Sequence, residues 1–196
     1  PPESYLKALL QARDGTLWVA ANTGLFQVRK GDPPRRVPIP GRPLDVYTRV
    51  AFQARDGTLW FGTEHGLHSL RQGQWRAYGE AEGLGHPYIL SLQEDTEGRL
   101  LVGTNGGGLG VQEGDRFRTL RVSDGLPSDV VFRVHVDPAG TWWVGTSLGL
   151  CRIKKGGVRT LRTHQDRPDE AVHQVLEPPT GHLWLCSPSG LKRLDK

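Results

Sequence analysis

Asp56-Gly57-Thr58-Leu59-Trp60-Phe61-Gly62-Thr63-Glu64-His65-Gly66-Leu67 decides the fold, because the same pattern returns four more times along the 196 residues. The other copies occupy 14–25, 98–109, 140–150 and 181–191. Their leading glycines stand at positions 15, 57, 98, 140 and 181, so successive steps are 42, 41, 42 and 41 residues. A period of roughly 40–45 residues is that of a four-stranded propeller blade.

Each copy reads as β. The leading glycine follows Asp, Glu, Ala or Thr and supplies the positive φ that a tight hairpin turn needs. Short apolar runs come next, such as Leu17-Trp18-Val19 and Trp142-Trp143-Val144. They are too short for a buried helix and rich in aromatic and β-branched residues. Gly-Leu then closes the motif and opens a third strand. An inner strand is expected upstream of each leading glycine, at 6–11, 48–53, 89–94, 131–136 and 172–177. An outer strand is expected downstream, clearest at 75–78 and 117–120.

The chain is therefore expected to be one all-β propeller domain, with blades near 5–39, 47–79, 88–122, 130–163 and 171–196. Pro33, Pro34, Pro38, Pro40 and Pro43 mark an edge strand and a long connector, since proline cannot donate to a ladder and blunts an edge. Residues 164–170 read as a polar connector. The last blade lacks an outer strand. Five blades lie within the four to eight of known rings. The expected arrangement is a closed five-bladed ring, in which Leu6, Leu17 and Trp18 meet Leu183, Trp184 or Val175. The alternative is an arc of a larger ring, whose open end faces would self-associate.

The pattern Gly-Thr-Leu-Trp-Phe-Gly-Thr-x-x-Gly-Leu, preceded by Asp-Gly-Leu-Pro and a Val-rich strand, resembles the two-component regulator propeller repeat. Blade four carries it most fully, with Asp124-Gly125-Leu126-Pro127, Asp137 and the stretch 140–150. Blades one and five depart, with Ala20-Ala21 and Cys186-Ser187 in place of Gly-Thr. The resemblance implies a sensory propeller in the periplasmic part of a membrane-bound bacterial histidine kinase or diguanylate cyclase. An attached signalling module and a ring of seven blades are implied with it.

Composition narrows the field. The net charge is +4, but Arg35-Arg36, Lys154-Lys155 and Lys192-Arg193 are scattered pairs rather than one basic face, so no nucleic-acid partner is expected. No apolar run approaches the ~20 residues of a membrane-spanning helix. Cys151 and Cys186 fall in different blades and are expected to be two buried free thiols. The pair His65 and His68 flanks the start of a strand and lacks further ligands at metal spacing, so neither metal nor cofactor is expected. Gly-x-Ser-x-Gly and phosphate-loop motifs are absent, and no catalytic constellation can be named.

Trp18, Trp60, Leu101, Trp143 and Trp184 share one register, three residues after the leading glycine, and read as inter-blade core. Ten residues before that glycine the register is Tyr5, Tyr47, Tyr88, Val130, Ala171, and two residues later it is Lys7, Arg49, Leu90, Phe132, His173. Both lie where the inner strands begin. The motif loops, among them His65 and Asn105, and the connectors, among them His86, are expected on the same axial face. Tyrosine offers a flat apolar ring and a hydroxyl, which suits carbohydrate and other amphipathic ligands. Tyr5, Tyr47, Tyr88, Arg49, His65, His86, Asn105 and His173 are thus the candidate ligand-binding residues. The expected function is non-enzymatic sensing of a small molecule or oligosaccharide at that face. A protein-interaction scaffold is the second reading. A propeller lyase or glycosidase ranks last, since it would need paired axial carboxylates.

Overall fold

The computed structural model describes residues 5–154, 157–161, 170–178 and 181–195. Nineteen strands fall into five antiparallel sheets, each formed by consecutive strands. Blade one holds β1 (Leu6–Gln11), β2 (Leu17–Ala21), β3 (Gly24–Val28) and β4 (Arg35–Val37). Blade two holds β5 (Thr48–Gln53), β6 (Leu59–Thr63), β7 (Gly66–Arg71) and β8 (Gln74–Tyr78). Blade three holds β9 (Ile89–Glu94), β10 (Leu100–Thr104), β11 (Leu109–Glu113) and β12 (Arg116–Leu120). Blade four holds β13 (Val131–Val136), β14 (Trp142–Thr146), β15 (Gly149–Lys154) and β16 (Gly157–Leu161). Blade five holds β17 (Gln174–Leu176), β18 (Leu183–Ser187) and β19 (Gly190–Leu194). The helical residues among those described are two single 3-10 turns, Glu80–Glu82 and Val122–Asp124.

The repeat geometry follows from the motif. The five leading glycines have φ between 76° and 88°, a region that other residues adopt only under strain. Each donates its N–H to the carbonyl three residues back, as in Gly57 to Ala54 at 3.0 Å, and the hairpin between the first two strands closes there. β17 is shorter than its expected span of 172–177. The Val172 N–H is used on Thr146 of blade four, at 2.9 Å, instead of on its own sheet.

Blades pack through two alternating registers. The residue three after the leading glycine and the leucine of Gly-Leu face the following blade. The residues two and four after the glycine face the preceding one. Trp18 and Leu25 therefore pack with Phe61 and Leu59 between blades one and two. Trp60 and Leu67 pack with Leu100 and Val102 between blades two and three. Leu101 and Leu109 pack with Trp142 and Val144, and Trp143 and Leu150 with Leu183 and Leu185. Ring contacts bind these cores, with Trp18 to Phe61 at 5.0 Å and Trp60 to Tyr78 at 5.3 Å. The register is core at Trp18, Trp60, Leu101 and Trp143, as expected, but not at Trp184, which is half-buried and outside these clusters.

Four inter-blade cores join five blades in a row, and no cluster among the described residues joins blade five to blade one. The expected meeting of Leu6 and Trp18 with Leu183 or Val175 does not occur. Trp18 packs forward on Phe61, and Leu183 packs back beside Trp143. The outward face of blade one leaves Leu6 62% and Leu9 61% exposed, although their counterparts Ile89, Val131 and Leu92 are buried. At the other end Leu191 is 65% exposed, whereas Leu25, Leu67, Leu109 and Leu150 are fully buried. The packing is that of the arc, the second of the two expected arrangements, and not of a closed ring. Cys186 is corrected for the same reason: it replaces the glycine of Gly-Thr in blade five, no blade among the described residues packs beyond it, and it is exposed. Cys151 is buried as expected, and burial pushes its thiol up to about 12. The connector expected at 164–170 lies outside the described residues except for Glu170.

Candidate functional site

Two local devices build the inner rim. The first is a hydrogen bond from the motif loop back to the start of the inner strand. Asn22, Glu64, Asn105 and Ser147 donate their N–H groups to the carbonyls of Tyr5, Tyr47, Tyr88 and Val130, at 3.0 to 3.2 Å. This repeated bond is why the loop and the strand start share one face. The threonine of Gly-Thr holds the loop in shape. The Thr63 hydroxyl donates to the Gly66 carbonyl at 2.9 Å and accepts from the His65 N–H at 3.0 Å. Thr104 and Thr146 repeat this staple.

The second device is a register shift at the start of each of the first four inner strands. It falls between Leu6 and Ala8, Thr48 and Val50, Ile89 and Ser91, and Val131 and Arg133. The residue skipped is in turn Lys7, Arg49, Leu90 and Phe132. A bulge of this kind leaves one residue out of the ladder and re-aims its side chain. Because β1, β5, β9, β13 and β17 adjoin one another in that order, the bulged residues line up along the rim.

The result is a contiguous cluster across blades one to three. Tyr47 and Tyr88 lie with ring centroids 6.1 Å apart. The Lys7 ammonium stands 5.6 Å from the Tyr47 ring centre and 5.9 Å from that of Tyr5. The Tyr88 hydroxyl interacts with the Tyr47 hydroxyl and the Arg49 guanidinium. Burial first, and then Tyr47, raise the Tyr88 pKa. Tyr5 is well exposed and is tied to its blade through Asn22, whose Oδ1 accepts the Tyr5 N–H at 2.7 Å. His86 joins from the connector, its Nδ1 accepting the Tyr88 N–H at 3.0 Å.

The remaining candidates stand apart. His173 lies against Phe132 in a tilted arrangement with ring centroids 4.7 Å apart, forming a separate pair between blades four and five. His65 is exposed at the loop tip, 3.7 Å from the Glu64 carboxylate. Asn105 is exposed and pairs through its backbone with Val130. Among the described residues no group of three or more His, Cys, Asp or Glu could hold a metal ion.

Opposite chemistry occupies the other ends of the inner strands. Glu94 and Glu177 share a register there, four residues before the leading glycine, a carboxylate pair that lies outside the repeated motif. Glu94 is paired with Arg55 at 3.2 Å and Glu177 with His135 at 2.9 Å. Beside them, Asp95 is paired with Arg99 at 2.7 Å. A cleft of about 710 Å³ opens here, lined by Phe52, Gln53, Glu94, His135, Pro138 and Glu177. Volume and chemistry therefore point to different ends of the inner strands. The charged groups of the cleft already satisfy one another as clasps between blades, whereas the tyrosine cluster presents ring faces and cations outward.

Comparison with known proteins bears on the fold and on the repeat. A family model described as two component regulator propeller matches residues 83–106. No curated protein matches the sequence. Among solved structures, the extracellular domain of BT3049 of B. thetaiotaomicron, assigned to a hybrid two-component system, superposes with a TM-score of 0.84 at 20% identity. That match covers 96% of this chain and 27% of the other. The extracellular domain of BT4673 from the same organism, assigned to a one-component system, gives 0.82 at 19% identity, covering 98% and 26%. Virginiamycin B lyase from Staphylococcus aureus gives 0.71 at 14% identity, covering 98% and 73%. The chain thus spans about a quarter of the length of these two extracellular domains. The fold is the one they share, a β-propeller, and residues 83–106 carry a two-component regulator propeller repeat.

Proposed function

We propose that this chain is a non-enzymatic sensory propeller, lying outside the cytoplasm, that binds a small molecule or oligosaccharide where its inner strands begin. The binding event would pass to an attached signalling module. The observation that carries the reading is the Tyr47–Tyr88 pair with Lys7 and Arg49 beside it. Neighbouring tilted rings with hydroxyls, and cations close beside them, suit an amphipathic, hydroxyl-rich ligand. The repeat and the shared fold of the extracellular sensor domains support the sensory role. A lyase reading rests on structural likeness to virginiamycin B lyase alone, and fold does not imply function. No helix among the described residues is long and apolar enough to cross a membrane.

The test is a thermal-shift and calorimetric screen of neutral and acidic oligosaccharides against the wild-type chain and two variants. Tyr47→Ala and Tyr88→Ala are expected to weaken binding of any hit about tenfold or more, as loss of a stacking ring does. The thermal midpoint should fall little, since both rings are only half-buried. Unchanged affinity in both variants would move the site elsewhere.

A further inference from the structure

We infer that the ligand of the tyrosine cluster carries an anionic group, a carboxylate or a sulfate, that Lys7 and Arg49 receive. This rests on the reading that the cluster binds ligand, and it adds the chemical class. Three observations carry it. The two cations are the bulged residues of β1 and β5, so the fold takes both out of their ladders at the same rim. Neither has an acid partner: among the described residues no carboxylate lies within ion-pair distance of Lys7 or Arg49. The acids of the adjoining blade-two segments do not reach them, with Glu64 beside His65 and Asp45 exposed. Cations at the other end of the inner strands are neutralised, Arg55 by Glu94 and Arg99 by Asp95.

What the cations do touch leaves their capacity open. The rings of Tyr5 and Tyr47 attract the Lys7 charge through their faces, and its three N–H donors remain for another acceptor. Arg49 has five donors and meets the single hydroxyl of Tyr88. A ring-shaped body stacked on Tyr47 and Tyr88 would place an acidic substituent between the two cations. A uronic acid and a sulfated sugar share this chemistry. A neutral sugar would leave both charges unused.

The experiment titrates the 196-residue chain with four probes: a uronic-acid trisaccharide, a sulfated disaccharide, a neutral hexose trisaccharide and inorganic sulfate. At least one acidic sugar is expected to bind about tenfold tighter than the neutral one, the margin of one charge-assisted hydrogen bond. Which acidic sugar binds identifies carboxylate or sulfate as the group received. Lys7→Gln and Arg49→Gln should each remove most of that margin, and added salt should shrink it by screening. Inorganic sulfate should bind far more weakly than either acidic sugar, because it has no ring to stack. The inference is overturned if the neutral sugar binds as tightly as the acidic ones, or if both Gln variants keep the margin. It then fails alone so long as Tyr47→Ala still weakens binding. If Tyr47→Ala leaves acidic-sugar binding unchanged, the ligand site itself lies elsewhere; if none of the four probes binds, both readings fall. Thermal midpoints of the ligand-free variants, expected near wild type because neither cation sits in a core, separate lost binding from lost fold.

Discussion

His68 shows what burial does to one titratable group in this fold. It sits in β7 at 1% exposure, with the Arg42 Nε donating to its Nε2 at 3.3 Å and no acceptor for its Nδ1 among the described residues. Burial first, and then the Arg42 charge, lower its pKa from 6.5 to about 4. The ring is therefore neutral at pH 7, with the proton on Nδ1. Because the unfolded chain takes up this proton at higher pH than the folded one, His68 costs stability as pH falls from about 6.5 towards 4 and costs nothing above that window. The full loss is on the order of 3 kcal/mol. Urea unfolding at pH 7 and pH 4 should show His68→Leu losing less stability on acidification than wild type by about that amount. Equal losses in the two chains would mean that His68 does not titrate in this way. At this scale the sequence was readable where a residue has one use: the leading glycines take positive φ, and the tyrosine register converges at Tyr47 and Tyr88. The bulges that re-aim Lys7 and Arg49 were not readable. Lys, Arg, Leu and Phe occupy the equivalent bulged positions, so no composition marks them.

The second strand of each blade is the element that holds the molecule together. Its first three residues face alternately back, forward and back, so one strand serves two inter-blade cores. The glycine of Gly-Thr belongs to the same logic. A Cβ on Gly62 would meet Ile89 at 2.6 Å, and one on Gly145 would meet the Val172 carbonyl at 2.5 Å. Glycine at this position lets the next inner strand approach. The equivalent tryptophans should therefore differ in energetic weight according to whether a further blade packs against them. Trp143, 3% exposed within the core between blades four and five, should cost about 3–5 kcal/mol when changed to Ala. Trp184 is half-buried with no blade among the described residues packed beyond it, and Trp184→Ala should cost about 1 kcal/mol or less. Chemical denaturation of the two variants checks this, and equal losses would show that Trp184 is also core. Strand order and spans were legible from the 41- and 42-residue steps. Which blade each face meets was not, because one repeat gives every blade the same two faces.

At the scale of the whole molecule that ambiguity becomes the difference between a ring and an arc. The sequence favoured closure because five blades are enough to close. The packing leaves blade one and blade five without each other, and their bare faces carry the residue types buried at the four internal contacts: Leu6 and Leu9 at one end, Trp184 and Leu191 at the other. The tyrosine cluster belongs to blades one to three, so Tyr5 and Lys7 stand beside one of these faces. The cleft at the opposite ends of the inner strands is lined by blades two to five. Exposed apolar faces drive association in water, and faces that match head to tail give open or closed assemblies. Sedimentation of the 196-residue chain tests the open row of blades most directly. Species above the monomer mass of 21.7 kDa should form with rising concentration and return to monomer when Leu9 and Leu191 are both changed to Glu. A compact monomer at every concentration, unaffected by those substitutions, would contradict it and indicate that blades one and five meet.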